Sequence, residues 1–186
     1  HKEVTEVIGV AKLNTELISI DSRRVMIMAQ IAKFEYDIGH EMEAKSTFLV
    51  AVELAKALRR SSEAVRELCS IATLFEQTEW SEISNLIVDI RRLLSVDEPS
   101  EPSSKDFSLR FFAWLLAHIG QLQNAIEIAN QMEEAHHRNT ALSEVYKIHV
   151  ENLLREDLAT DAIKYAEFIV EDRFKAEALS LIARSV

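Results

Sequence analysis

Three glycines and two prolines are all that punctuate this chain of 186 residues, and that scarcity limits the fold more than any other feature. A sheet of several strands needs turn residues every few positions, and they are missing here. Long runs of Ala, Leu, Ile, Glu, Lys and Arg, largely the better helix formers, fill the intervals instead. The class is therefore all-α. The length suffices for one domain, 1–186, with a core of its own.

Charge narrows the function. Thirty-one acidic residues face 21 basic ones, a formal net charge of −10. Phosphate backbones and anionic membrane surfaces both demand a surplus of Lys and Arg, so neither nucleic acid nor membrane is an expected partner. The longest apolar run, Phe111 to Ala117, is far short of the roughly 20 residues of a membrane helix. No basic-then-apolar leader opens the chain. A single cysteine, Cys69, excludes an internal disulfide, fits a reducing compartment and reads as a small buried helix residue. The expected location is cytoplasmic. The sequence starts at His1 and stops inside a helical pattern, Ala176 to Val186, so a piece of a longer polypeptide is expected.

Capping residues and breaks divide the chain into ten helices. The first spans about 3–20. Asp21 and Ser22 suit the N-cap of a second, reaching Tyr36, and Gly39 is placed to end it in the left-handed conformation. A third covers 41–58. Ser61 and Ser62 open a fourth, to Phe75, and Ser81 a fifth, to Leu94. The segment 97–106 is polar, holds both prolines and reads as an exposed loop insertion. Helices near 107–118, 122–132, 138–153, 160–170 and 173–183 follow.

Two patterns alternate along these helices. An apolar, apolar, small triplet appears as Met28, Ile31, Ala32; Leu68, Ile71, Ala72; Leu109, Phe112, Ala113; and Leu179, Ile182, Ala183. Leu142, Val145, Tyr146 is a looser copy. The partner helices carry small or apolar residues at i, i+4 and i+7: Ala44, Phe48, Ala51; Ser84, Val88; Ala125, Ala129, Met132; and Ala162, Ala166, Ile169. Two helices approach closely only where one offers a small side chain to the other's bulk. A hairpin cannot bury its stripe alone, so hairpins stack.

The unit Leu109, Phe112, Ala113, Leu116, Gly120, Ala125, Ala129, Met132 resembles a tetratricopeptide repeat. Met28, Ile31, Ala32, Gly39, Ala44, Phe48 and Ala51 give a second copy. Other units match in part: Asp157 replaces the glycine ahead of Ala162, and the closing proline is absent. A HEAT-like or other helical-hairpin solenoid fits the same pattern. The resemblance implies a right-handed α-α superhelix of about five hairpins. It implies a module that binds a protein or peptide in a concave groove, without enzymatic activity or cofactor. Carried onto this chain, its first-helix groove positions fall on Lys33, Tyr36, Arg66, Thr73, Phe107, Arg110, Trp114, Lys147 and Arg184. Glu76 and Glu177 fall on the same strip, and the basic excess points to an acidic segment or a C-terminal carboxylate as ligand. Exposed solenoid ends point to self-association as well. The alternative is a regulatory or sensor domain that controls an attached domain by binding a small ligand or self-assembling.

Catalytic patterns are weak. Glu134-x-x-His137, with Glu133-x-x-His136 beside it, has the spacing of di-iron helical bundles. It falls on a charged turn, where solvated side chains are expected. Cys69 or a serine with His118 or His149 lacks any glycine-rich elbow or oxyanion loop. Phosphate loops are excluded because no Gly-rich run exists.

Overall fold

A computed structural model describes residues 2–16, 21–78, 80–95 and 102–185. These are all helix and short turn, with ten helices and no strand among them. The chain forms two compact units, His1–Leu93 and Leu94–Val186, which divide just ahead of the polar segment at 97–106. No described helix is long and apolar enough to cross a membrane.

The first unit holds α1 (Lys2–Glu16), α2 (Ser22–Asp37), α3 (Glu41–Lys56), α4 (Ser61–Leu74) and α5 (Ser81–Ser95). Asp21 caps α2, accepting from the amides of Arg23 at 2.9 Å and Arg24 at 3.1 Å. The serines expected to cap α4 lie inside its first turn. Arg60 holds the cap position and makes no side-chain capping bond. Ala32, Ala44, Ala51 and Ala72 are fully buried, beside Met28, Phe48 and Leu68, which suits small-against-large packing. Phe48, Phe75, Trp80 and Tyr36 form an aromatic cluster, with Phe75 and Trp80 stacked at 5.1 Å. Glu35 is a buried carboxylate whose charge is answered by Lys12 Nζ at 2.7 Å and by the Thr47 hydroxyl at 2.6 Å. That arrangement ties α1, α2 and α3 together, since a buried charge is tolerated only when paired. On α5 the core face is Ile83, Leu86 and Ile90. The stripe expected there, Ser84 and Val88, is exposed, because it lies more than a quarter turn away from those three.

The second unit holds α6 (Pro102–His118), α7 (Leu122–Ala129), α8 (Ala135–Arg155), α9 (Ala159–Ala166) and α10 (Asp172–Ser185). Residues 97–101 of the expected loop lie outside the described residues. Its remainder is helical: α6 starts at Pro102, and Asp106 is buried. Proline suits a first helical position, where no amide is required and its φ is already set.

One turn recurs three times. Gly39, Gly120 and Asp157 are the left-handed residues, with φ of 84°, 76° and 59°. Each stands five positions before a fully buried alanine, Ala44, Ala125 and Ala162. The following amide bonds back five residues: His40 to Glu35, Gln121 to Leu116 and Leu158 to Leu153, at 2.8 to 2.9 Å. These are Schellman-type closures, which satisfy carbonyls left open at a helix end.

Gly120 and Asp157 are 37 positions apart (157 − 120), and the whole second unit keeps that spacing. Ala113 and Val150, Ala125 and Ala162, Ala129 and Ala166, Met132 and Ile169, Ala141 and Ala178, and Val145 and Ile182 are buried pair by pair. The triplet read as Leu142, Val145, Tyr146 is therefore one helical turn early. Val150 stands where Ala113 stands, while Tyr146 is only half-buried. Leu179 and Ala183, read as stacking residues, are exposed.

Candidate docking faces

Of the four groove residues expected in the first unit, the structure brings three together. Lys33, Tyr36 and Thr73 line one cleft with Asp37, Glu76, Gln77 and Thr78. Lys33 pairs with Asp37 and sits 5.7 Å from the Tyr36 ring. Tyr36 meets Trp80 edge-on, and the Thr73 hydroxyl donates to the Cys69 carbonyl. Arg66 lies elsewhere, bonded to Glu67 at 2.6 Å and to Ser22 at 2.9 Å. It is spent on packing α4 against the start of α2. Cys69 is buried, and burial pushes its thiol well up from the ordinary cysteine value. It is an inert core residue.

In the second unit the first helix of each hairpin supplies one face. Phe107 and Arg110 of α6 line a cleft of about 410 Å³ with Asp106 and with His136, His137 and Thr140 of α8. Lys147 of α8 and Arg184 of α10 line another, with Glu151, Glu177 and Ser180. Arg110, Lys147 and Arg184 follow the same 37-residue spacing, so each occupies the same place on its helix. Trp114 is half-buried, its ring 4.5 Å from His118. Phe107 is 41% exposed and packs on Phe111 at 4.8 Å.

Two cations of the expected positive strip in this unit, Arg110 and Lys147, are balanced by carboxylates. Arg110 Nε donates to Glu144 at 3.0 Å. Lys147 meets Glu177 at 3.0 Å and Glu151 at 3.1 Å. Burial alone would lower the Lys147 pKa, but the bonds from Glu177 and Glu151 outweigh it and hold the ammonium above its ordinary value. Glu177 is correspondingly held below the usual carboxylate range, first by Lys147 and then by Arg173. In both cases a carboxylate of the following first helix meets the cation of the preceding one, although Glu144 and Glu177 do not occupy equivalent positions of the 37-residue spacing. Arg184 is the exception and makes no ion pair among the described residues.

Asp106 anchors the first cleft. Its two carboxylate oxygens accept from the amides of Glu133 and Glu134, each at 3.0 Å, and one lies 3.2 Å from His137 Nδ1. Burial pushes its pKa up, yet those amides and His137 more than compensate, and the net shift is downward. His137 is thus a partner of the Asp106 cap. Among the described residues no group of three or more His, Cys, Asp and Glu is arranged to hold a metal. The histidines of the Glu-x-x-His pattern stand in the first turn of α8.

Sequence reasoning had not placed His136, His137, Glu144 or Glu151 on this face. The signal was present in the 37-position offset between Gly120 and Asp157, which sets the α8 register one turn later than the apolar triplet does. No family model, no curated protein and no solved structure matches the chain.

Proposed function

We propose that this chain is a helical-hairpin scaffold of the tetratricopeptide-like kind, a right-handed α-α solenoid. It docks a peptide or partner helix across α6 and α8 and catalyses nothing. The observation that carries this reading is the state of Arg110. It engages Glu144 through Nε alone, so its Nη groups remain donors for a second carboxylate, in the fork geometry that carboxylates fit. Phe107 lies beside it in the same cleft, 41% exposed, and offers an apolar anchor of the type that dominates binding energy. The ligand is therefore an extended or helical segment with an acidic side chain or C-terminal carboxylate next to an apolar residue. Lys147, already held between two carboxylates, is a bystander.

The test is selection of peptides from a displayed random library on the immobilised protein, followed by titration of the selected peptides. Arg110→Ala weakens them about tenfold, equivalent to about 1.4 kcal/mol, and Lys147→Ala weakens them less. Affinity falls as salt rises, because the contact is partly exposed. Selected peptides indifferent to Arg110→Ala and to salt place binding on another surface and defeat this reading.

A further inference from the structure

The cleft that holds Arg110 and Phe107 is also lined by two imidazoles, His136 and His137, in the first turn of α8. The charges around them are mostly negative. From α6 they meet Asp106, whose Oδ2 lies 3.2 Å from His137 Nδ1. Glu134, just ahead of α8, lies 3.6 Å from the same nitrogen, and Glu133 beside it is exposed. Glu171, just ahead of α10, accepts from the Thr140 hydroxyl at 2.9 Å and lies 4.0 Å from His136 Nδ1. Glu144, two turns along α8, holds Arg110. Nearby cations are engaged elsewhere or unengaged: Arg138 donates to the Met132 carbonyl and Arg173 of α10 pairs with Glu177. Lys105 of α6 is exposed and makes no hydrogen bond or ion pair among the described residues. While both imidazoles are neutral, Asp106, Glu134, Glu144 and Glu171 thus outweigh Arg110, and an arriving carboxylate meets like charge.

We infer that docking of a carboxylate in this cleft is coupled to protonation of His136 and His137, so that the site takes acidic peptides more tightly as pH falls. The inference rests on the reading of the cleft as a peptide site and names how that site is regulated. Imidazole is the side chain whose charge changes between about pH 5 and 8. A proton on His137 offsets Asp106 and Glu134 where they stand. His136 is 81% exposed, with Glu171 only at the limit of an ion pair, so its charge is available to an incoming carboxylate. The peptide's own carboxylates stay ionised through this window, because they titrate near 4. The coupling is reciprocal: protonation strengthens docking, and docking draws protons onto the cleft.

Peptides selected from the displayed library on the whole chain at mildly acidic pH test it. Those that lose affinity for Arg110→Ala are titrated by calorimetry at about pH 5.5 and 7.5, near the two ends of the imidazole range. Wild type binds them about tenfold more tightly at the lower pH, the scale of two partly exposed charge contacts. Between those values binding takes up protons, read from the difference in heat between two buffers of unlike ionisation enthalpy. His136→Gln changes an exposed site, keeps the fold by circular dichroism and shows a smaller pH effect with less proton uptake. Adding His137→Gln removes the rest. A library that yields no Arg110-dependent peptide defeats the docking reading and this inference with it. Arg110-dependent peptides that bind equally at both pH values, or without proton uptake, overturn the coupling alone. A His136→Gln variant with the full pH effect does the same.

Discussion

Asp106 and Ser143 do the same job in successive hairpins, each receiving the two backbone amides that lie 27 and 28 residues further along the chain. A side chain within one helix thereby holds the amides just ahead of another. For α8 this tertiary contact stands in for a local N-cap, since Glu134 at the cap position makes no side-chain capping bond.

Removing either acceptor therefore destabilises the fold. Loss of an N-cap costs about 0.5–2 kcal/mol, and Asp106 belongs at or above the upper end because it is buried and charged. Asp106→Ala lowers the urea midpoint more than Ser143→Ala does. The Asp106 contribution also depends on pH, with a sign fixed by its lowered pKa. It is complete above the ordinary aspartate value near 4 and is lost as pH falls through the lower folded value. Wild type and Asp106→Ala therefore converge in stability as pH falls through that lowered folded value, and urea titrations at several pH values check this.

The left-handed turns give the opposite kind of test. Asp157 holds φ of 59° where the two related turns use glycine. A non-glycine residue pays roughly 1 kcal/mol there, so Asp157→Gly raises the melting temperature by a few degrees. Gly120→Ala lowers it by a similar amount through backbone strain alone, because an added side chain would meet nothing within 4 Å. Calorimetry of the two variants reads both signs.

Ala113 and Ala183 hold the same place in the sequence triplet, and the structure separates them. Ala113 is fully buried, whereas Ala183 is exposed. Ala113→Leu overpacks the hairpin and costs about 1–3 kcal/mol. Ala183→Leu leaves the denaturation midpoint of the monomer within about 0.5 kcal/mol of wild type.

His118 and His149 are both held below the ordinary histidine pKa, chiefly by burial. Protonation thus favours the unfolded chain, which binds these protons at a pH near 6.5. Stability is complete above that value, declines as pH drops through it, and levels off below the folded values. Replacing both with glutamine flattens the stability profile between about pH 7 and 5, which denaturant titration measures.

Much of the architecture was legible because helix punctuation is local. Asp21, Gly39 and Gly120 act within a few residues, and each lies where its chemistry requires. The alternation of small and large residues is likewise readable wherever the helix is regular. The register of α8 was not, because Leu142, Val145 and Tyr146 imitate the apolar triplet one turn early. Only the buried pairs of the 37-residue spacing tell the two apart. The balance of the charged face was hidden for a related reason. Glu144 is 34 residues from Arg110 and Glu177 is 30 from Lys147, separations that no local rule connects.

The two tryptophans of the chain, Trp80 and Trp114, fall one in each compact unit. Trp80 is 8% exposed among Phe48, Phe75 and Tyr36, with its indole N–H on Glu41 at 3.2 Å. Trp114 is half-buried against His118. Each unit thus carries its own optical reporter, without any label. Replacing one tryptophan by phenylalanine leaves emission from the other alone, so the melting of either half is followed in the intact chain. Coincident emission transitions mark one cooperative block, and separated ones mark two that melt in sequence.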